Sequence, residues 1–252
     1  VPTALISGAN KGLGLATARL LSQRGCHVWL GSRSRDAGEA AAAELRGEGG
    51  CAEAIELDIT DDASVEAAAS RIATQTGLDI LINNAAIMDE GFLPGDPEGR
   101  PGRTPVDALE RTVQTNFLGA LRVIRTFLPL LLASPQPRIV NVSSRLGSFG
   151  HQTDPEWPGR SVGKLGYSSS KAALNMATVL LAHELRDTPV KVNAVTPGII
   201  ATDLNGEGSD ALRGRAGFAL PEDGAEVVAR FALIPGDGPT GKFFGPGGKL
   251  AW

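Results

Sequence analysis

The stretch "TALISGANKGLG", Thr3 to Gly14, decides how the rest of the chain is read. Thr3–Ser7 is a short, continuous apolar run, the form taken by a strand buried on both faces. Glycines follow at Gly8, Gly12 and Gly14, spaced G-x3-G-x-G, and a helical run continues to about Arg24. A strand that turns through glycines into a helix offers free backbone N–H groups at the helix N-terminus. A pyrophosphate can approach them closely. The spacing is not G-x-G-x-x-G, because position 17 is Thr17. Such a turn can also do no more than join a strand to a helix.

The same alternation continues. "CHVWLG" (Cys26–Gly31), "AEAIEL" (Ala52–Leu57), "LDILIN" (Leu78–Asn83), "RIVNVSS" (Arg138–Ser144) and "VKVNAV" (Val190–Val195) read as strands, with "GKFFG" (Gly241–Gly245) as a seventh. Asp36–Gly49, Asp61–Gly77, a long run from about Pro105 to Ala133, and Tyr167–Arg186 read as helices. This order predicts an α/β fold, a single Rossmann-type doubly wound parallel sheet of about seven strands with helices on both faces. One domain is expected over residues 1–252. Two Gly/Pro-rich segments, Asp89–Pro105 and Arg145–Gly166, leave the carboxyl ends of the fourth and fifth strands. Ligands bind at that edge of open α/β sheets, so both read as walls of a site. With a third glycine-rich segment, the substrate loops are expected near 88–105, 145–166 and 205–217, the last as a mobile lid.

The end of the second strand, "LGSRSR", carries Arg33 and Arg35 and no acid. A carboxylate there suits a free ribose hydroxyl and a cation suits a 2′-phosphate. Arg33, with Lys11 from the glycine loop, therefore points to NADP rather than NAD. Asp58 closes the third strand; it either faces the adenine or caps the next helix.

Bulk properties exclude several classes. Hydrophobic residues make up 42% and charged residues 21% of the chain, and the net charge is −4, with no polybasic run. No basic face for nucleic acid or an acidic membrane is expected. The longest apolar stretch, Phe127–Ala133, is broken by Pro129, so no membrane span is expected. The opening reads as a strand rather than a signal peptide, and a cytoplasmic location is expected. Cys26 and Cys51 read as reduced thiols within strands. His27, His151 and His183 lie far apart, so no metal site is expected.

"YSSSK", Tyr167 to Lys171, holds the only tyrosine in the chain. On a helix the phenol and the ammonium four residues on share one face. A nearby ammonium is expected to lower the phenol's pKa from its usual value near ~10, toward proton exchange at neutral pH. Ser144, at the mouth of the fifth strand, can orient a carbonyl oxygen by hydrogen bonding.

The glycine loop, "NNAA" (Asn83–Ala86), "VNVSS" (Val140–Ser144), "YSSSK" and "PGIIAT" (Pro197–Thr202) occur in that order, and over nearly its whole length the chain resembles the classical short-chain dehydrogenase/reductase family. "SGANKGLG" and "GPTGKFF" look most like its NADPH-dependent carbonyl reductases. The resemblance implies a catalytic set of Asn116, Ser144, Tyr167 and Lys171, with Asn116 holding a water that links Lys171 to solvent. It implies cofactor contacts from Gly8, Asn10, Lys11, Gly12, Leu13, Gly14, Arg33, Asp58, Ile59, Asn84, Ala85, Ala86, Tyr167, Lys171, Pro197, Gly198, Ile200 and Thr202. Ala86 stands where the family usually has Gly, and the Ser144–Tyr167 separation, 167 − 144 = 23, is longer than usual.

The activity implied is hydride transfer between NADP(H) and an aldehyde, ketone or alcohol, with Tyr167 as general acid/base. The alternatives are an epimerase or dehydratase of the same superfamily and a non-catalytic NADP-sensing regulator. Phe149, His151 and Trp157 either touch substrate or anchor their loop. Monomer and homo-oligomer both stay open.

Overall fold

A computed structural model of the chain describes residues 1–89, 101–205 and 212–252. The parts of the expected substrate loops at 90–100 and 206–211 lie outside the described residues, so the lid expected at 205–217 is not tested. Eight strands form one sheet: β1 (Thr3–Ser7), β2 (His27–Ser32), β3 (Cys51–Glu56), β4 (Ile80–Asn83), β5 (Arg138–Val142), β6 (Lys191–Val195), β7 (Phe243–Gly245) and β8 (Gly248–Lys249). Their order is β3-β2-β1-β4-β5-β6-β7-β8. All neighbours are parallel except β7 and β8. The order reverses between β1 and β4, which opens a crevice at the carboxyl ends of the strands.

Among the described residues the α-helices are α1 (Gly12–Gln23), α2 (Arg35–Gly47), α3 (Asp62–Gln75), α4 (Val106–Val113), α5 (Ala120–Ala133), a short α6 (Phe149–Gln152), α7 (Leu165–Glu184) and α8 (Pro221–Ala232). One apolar layer joins α1, α2 and α8 to one face of the sheet through Leu21, Leu45, Val228 and Phe231. The other joins α3 and α5 through Ile72, Ile124, Phe127 and Leu131, with the buried Trp29 of β2. Burial on both faces is why these strands read as unbroken apolar runs rather than alternating ones.

Three features depart from the sequence reading. Helix α8 went unread, although Pro221 at its start and Glu222 and Asp223 in its first turn suit a helix N-terminus. The sheet gains the two-residue antiparallel β8. The run Val106–Ala133 is one 28-residue helix, long and apolar enough by length and composition to cross a membrane, where no such stretch was expected. In this fold its apolar side is covered: Val123, Ile124, Phe127 and Leu131 are fully buried in the core. On its other side Arg122 pairs with Asp62. Between α4 and α5 the helix widens into a π-turn, Gln114–Gly119. At Gly119 an added Cβ would lie 2.9 Å from the Ile59 side chain and 3.0 Å from its carbonyl oxygen. Cys26 is buried as expected, whereas Cys51 is exposed at the start of β3.

Candidate active site

The carboxyl ends of the strands open into a cleft of about 740 Å³, within the usual size of a small-molecule site. The eighteen residues expected around a cofactor all line it, from Gly8 of the glycine loop to Thr202 after β6. Ser144 lines it as well, whereas Asn116 stands behind the wall with 1% exposure.

The glycine loop is built for close approach. Gly8 and Gly12 have φ of +65° and +55°, where a side chain would be strained. A Cβ on Gly14 would lie 2.3 Å from the Gly8 carbonyl oxygen and 2.7 Å from Asn84 Nδ2. That Asn84 amide donates to the carbonyls of Ser7 and Gly8, at 2.9 and 3.0 Å. Asn84 therefore braces the loop as well as lining the cleft. At the head of α1 the N-cap, Lys11, makes no side-chain cap, and the first turn holds no acid. These backbone donors suit a pyrophosphate, so the residues present fit a dinucleotide.

At the nucleotide end Arg33 and Asp58 face the cleft together. Asp58 does not cap the following helix; Asp61 does, accepting from Ala63 N–H. Hydrogen bonds from Thr60 hold the Asp58 carboxyl below its usual range, with help from Arg33. Lys11 is engaged by Asp203, Nζ to Oδ2 at 2.5 Å.

At the opposite end Tyr167 and Lys171 stand one turn apart on α7, both buried. Lys171 Nζ donates to the Val142 carbonyl at 2.8 Å and lies 5.6 Å from the centroid of the phenol ring. Ser144 Oγ accepts from Leu146 N–H at 3.2 Å and is hydrogen-bonded to Tyr167. The expected lowering of the phenol pKa is corrected here. Burial pushes Tyr167 up to about 12, with the Ser144 hydrogen bond pulling the other way. Burial also draws Lys171 down to about 8. Desolvation disfavours the charged form of each, and the ammonium's main partner is a carbonyl rather than the phenol. Asn116 sits in the π-turn, a form often found at functional sites. Its Oδ1 accepts from Ile87 N–H, and its Nδ2 donates to the Ile87 carbonyl and to Ser170 Oγ. Both amide hydrogens are thus engaged, and the side chain pins the β4 loop to α7.

Phe149, His151 and Trp157 do not line the cleft; Leu146 does. His151 and Trp157 meet edge to face at 5.3 Å, and Phe149 is 74% exposed. The loop is held by residues about a hundred positions further along the sequence. Ser148 Oγ donates to the Ala251 carbonyl at 2.9 Å, Gly150 N–H donates to the Trp252 carbonyl at 2.6 Å, and Trp252 stacks on Phe243.

The short chain dehydrogenase family model matches residues 2–212. The chain is 30% identical to a (+)-neomenthol dehydrogenase of Capsicum annuum, over 96% of this chain and 94% of that one. Salutaridine reductase from Papaver somniferum has a similar structure, with a TM-score of 0.78 and 27% identity over 96% of this chain and 99% of that one. So does a metagenomic short-chain oxidoreductase in complex with NADP, with a TM-score of 0.73 and 26% identity over 95% and 93%. The chain belongs to the short-chain dehydrogenase/reductase family, classical type, and is an oxidoreductase acting on CH–OH groups.

Two outcomes are expected. Gly14→Ala drives a methyl into the Gly8 carbonyl and the Asn84 amide. It should cost about 1–3 kcal/mol in urea unfolding, the usual penalty of overpacking, and weaken NAD(P)+ binding in a calorimetric titration. The second outcome concerns Lys171. Its pKa falls from 10.5 in the open chain to about 8 when folded. Within that window only the unfolded chain holds the proton, so stability rises with pH. Wild type should gain stability relative to Lys171→Met between about pH 8 and 10.5 and hold a constant difference below the window. Urea unfolding across pH checks this, and parallel curves through the window would refute it.

Proposed function

We propose that this protein is an NADPH-dependent reductase of aldehydes or ketones in which Tyr167 is the general acid. The observation that carries the reading is the meeting of Ser144, Tyr167 and Lys171 at one end of a cleft whose other end is a glycine loop facing Arg33. NADPH supplies the hydride when bound. Gly8, Gly12 and the head of α1 would hold its pyrophosphate, and Arg33 its 2′-phosphate. The β2 tip bears no carboxylate to favour a free ribose hydroxyl, and a similar solved structure holds NADP. Lys11 is a second candidate for the phosphate. Its partner Asp203 is exposed, and an exposed ion pair is worth about 0–1 kcal/mol, so a phosphate can draw Lys11 away.

Ser144 presents its hydroxyl to the substrate oxygen beside the Tyr167 phenol. A phenol raised to about 12 is fully protonated at neutral pH. It can therefore give its proton to an oxygen that becomes basic as the carbonyl is reduced. Lys171 places a positive charge near the ring, stabilising the phenolate left behind.

Tyr167→Phe should abolish nearly all carbonyl-dependent NADPH oxidation while leaving the NADPH dissociation constant close to that of the parent. The ring still packs and only the proton is lost. Turnover within a few-fold of wild type would remove Tyr167 from the role. For the cofactor, parallel titrations of parent protein with NADPH and NADH should favour NADPH, and Arg33→Asp should erase or invert the preference. The lost charge-assisted contact is worth roughly 1.5–3 kcal/mol, on the order of 10- to 150-fold in the affinity ratio. Equal binding of both cofactors by the parent would refute the reading of β2.

A further inference from the structure

Two serines stand at the mouth of β5, Ser143 and Ser144, and both line the cleft. Ser144 is hydrogen-bonded to Tyr167, whereas the Ser143 hydroxyl is bonded to Asn175. The reason lies on α7, two turns beyond the phenol. Asn175, 5% exposed, reaches back and touches the chain on both sides of Ser144. Ser143 Oγ donates to Asn175 Oδ1 at 2.6 Å, and Asn175 Nδ2 donates to the Gly147 carbonyl at 3.0 Å. The orientation of the amide follows from chemistry. A backbone carbonyl can only accept, so the NH2 group must face Gly147 and the oxygen must face Ser143. The Ser143 hydrogen is thereby committed to Asn175.

The turn that carries Ser144 is pressed onto the same helix. A Cβ on Gly147 would lie 2.6 Å from the carbonyl carbon of Lys171 and 2.7 Å from Ala172 N. Ser143 N–H is fixed in turn by the Val195 carbonyl at 2.7 Å. The serine turn thus has a backbone anchor on β6, a backbone contact on α7, and one side chain bracketing it at residues 143 and 147.

We propose that Asn175 is a positioning residue for the reaction: it holds the turn that presents Ser144 to Tyr167 and removes the Ser143 hydroxyl as a competitor. This rests on the roles proposed above for Ser144 and Tyr167. Asn175 itself touches neither reacting atoms nor the cleft.

The test uses the fact that Tyr167 is the only tyrosine. Tyrosine labelled with carbon-13 at Cζ gives one resonance, whose shift reports hydrogen bonding to the phenol without any substrate. Ser144→Ala should displace that resonance. Asn175→Leu should displace it in the same direction, and Ser144→Ala/Asn175→Leu should move it no further than Ser144→Ala alone. With NADPH and para-nitrobenzaldehyde, Asn175→Leu should lower kcat about tenfold, the equivalent of about 1.4 kcal/mol, with the NADPH dissociation constant unchanged. Asn175→Asp, which keeps the acceptor for Ser143, should fall between the two. Ser143→Ala loosens the bracket from the strand side and carries the same test if Asn175→Leu does not fold.

If Ser144→Ala moves the resonance and neither Asn175→Leu nor Ser143→Ala does, the positioning role is overturned and the pairing of Ser144 with Tyr167 stands. If Ser144→Ala leaves the resonance in place, that pairing fails and the role of Asn175 fails with it. Additive displacement in the double variant would also overturn the proposal, because it would show that Asn175 acts on the phenol by a separate route.

Discussion

A buried ammonium accepted by one strand-end carbonyl sets the geometry of this molecule's chemical centre. Lys171 Nζ reaches the Val142 oxygen at 2.8 Å. A charge taken out of water is costly unless it is hydrogen-bonded, so α7 can sit on the sheet only where that carbonyl is available. The same side of α7 continues the attachment. Asn175 grips the serine turn. Thr178 accepts from Asn141, whose oxygen accepts in turn from Asn83. Successive turns of one helix are thus tied by polar side chains to β5 and, through it, to β4. An apolar helix face could slide by a fraction of a turn at little cost. A face of directed hydrogen bonds in low dielectric fixes one position, and slippage would leave buried polar groups unmatched.

Much of this was legible in the sequence, for reasons that differ by element. Thr3–Ser7 and Val190–Val195 announce themselves because strands buried on both faces must be continuously apolar. The glycines at 8, 12 and 14 announce the loop because no other residue tolerates its φ or its contacts. Arg33 and Asp58 could be placed because the ends of parallel strands converge on one edge. Helix α8 was obscured by Gly224 and the flanking glycine- and proline-rich stretches, although its first turn carried the right residues. The π-turn around Asn116 leaves no compositional mark, since it differs from an α-helix only in hydrogen-bond register. The direction of the phenol's pKa was misread because a lysine at i+4 shows charge proximity, whereas burial is a property of the assembled fold. Asn175 went unnoticed for a related reason. Its two partners lie 32 and 28 residues away, and no local pattern links them.

The two ends of the cleft are built on different principles. Around Arg33, Asp58, Lys11 and Asp203 the groups are charged and partly open to solvent, and the Lys11–Asp203 pair can exchange partners at little cost. Around Tyr167 and Lys171 the groups are buried, with Ser144 half-buried beside them, and are held by several neighbours at once. A substitution at the first end is felt mainly through charge and is tolerated by the fold. At the second end it disturbs packing, hydrogen bonding and protonation together. Nucleotide preference is therefore the more adjustable property of this scaffold, and proton chemistry the more constrained one.

The contacts of Ala251 and Trp252 have a consequence for the order in which the molecule is built. Ser148 and Gly150 hydrogen-bond to carbonyls of Ala251 and Trp252, about a hundred residues further along the chain. Contacts so distant in sequence close late, because the loop between them must first be ordered. A chain emerging from the ribosome can form β1 to β5, the glycine loop and the phenol-bearing helix before those two residues exist. The turn beside Ser144 lacks this anchor until Ala251 and Trp252 have been made and β7 has brought Trp252 onto Phe243. Assembly of the wall beside Ser144 is thus coupled to a segment made about a hundred residues later, and loss of Ala251 and Trp252 would keep most of the sheet while losing the fastening of that wall.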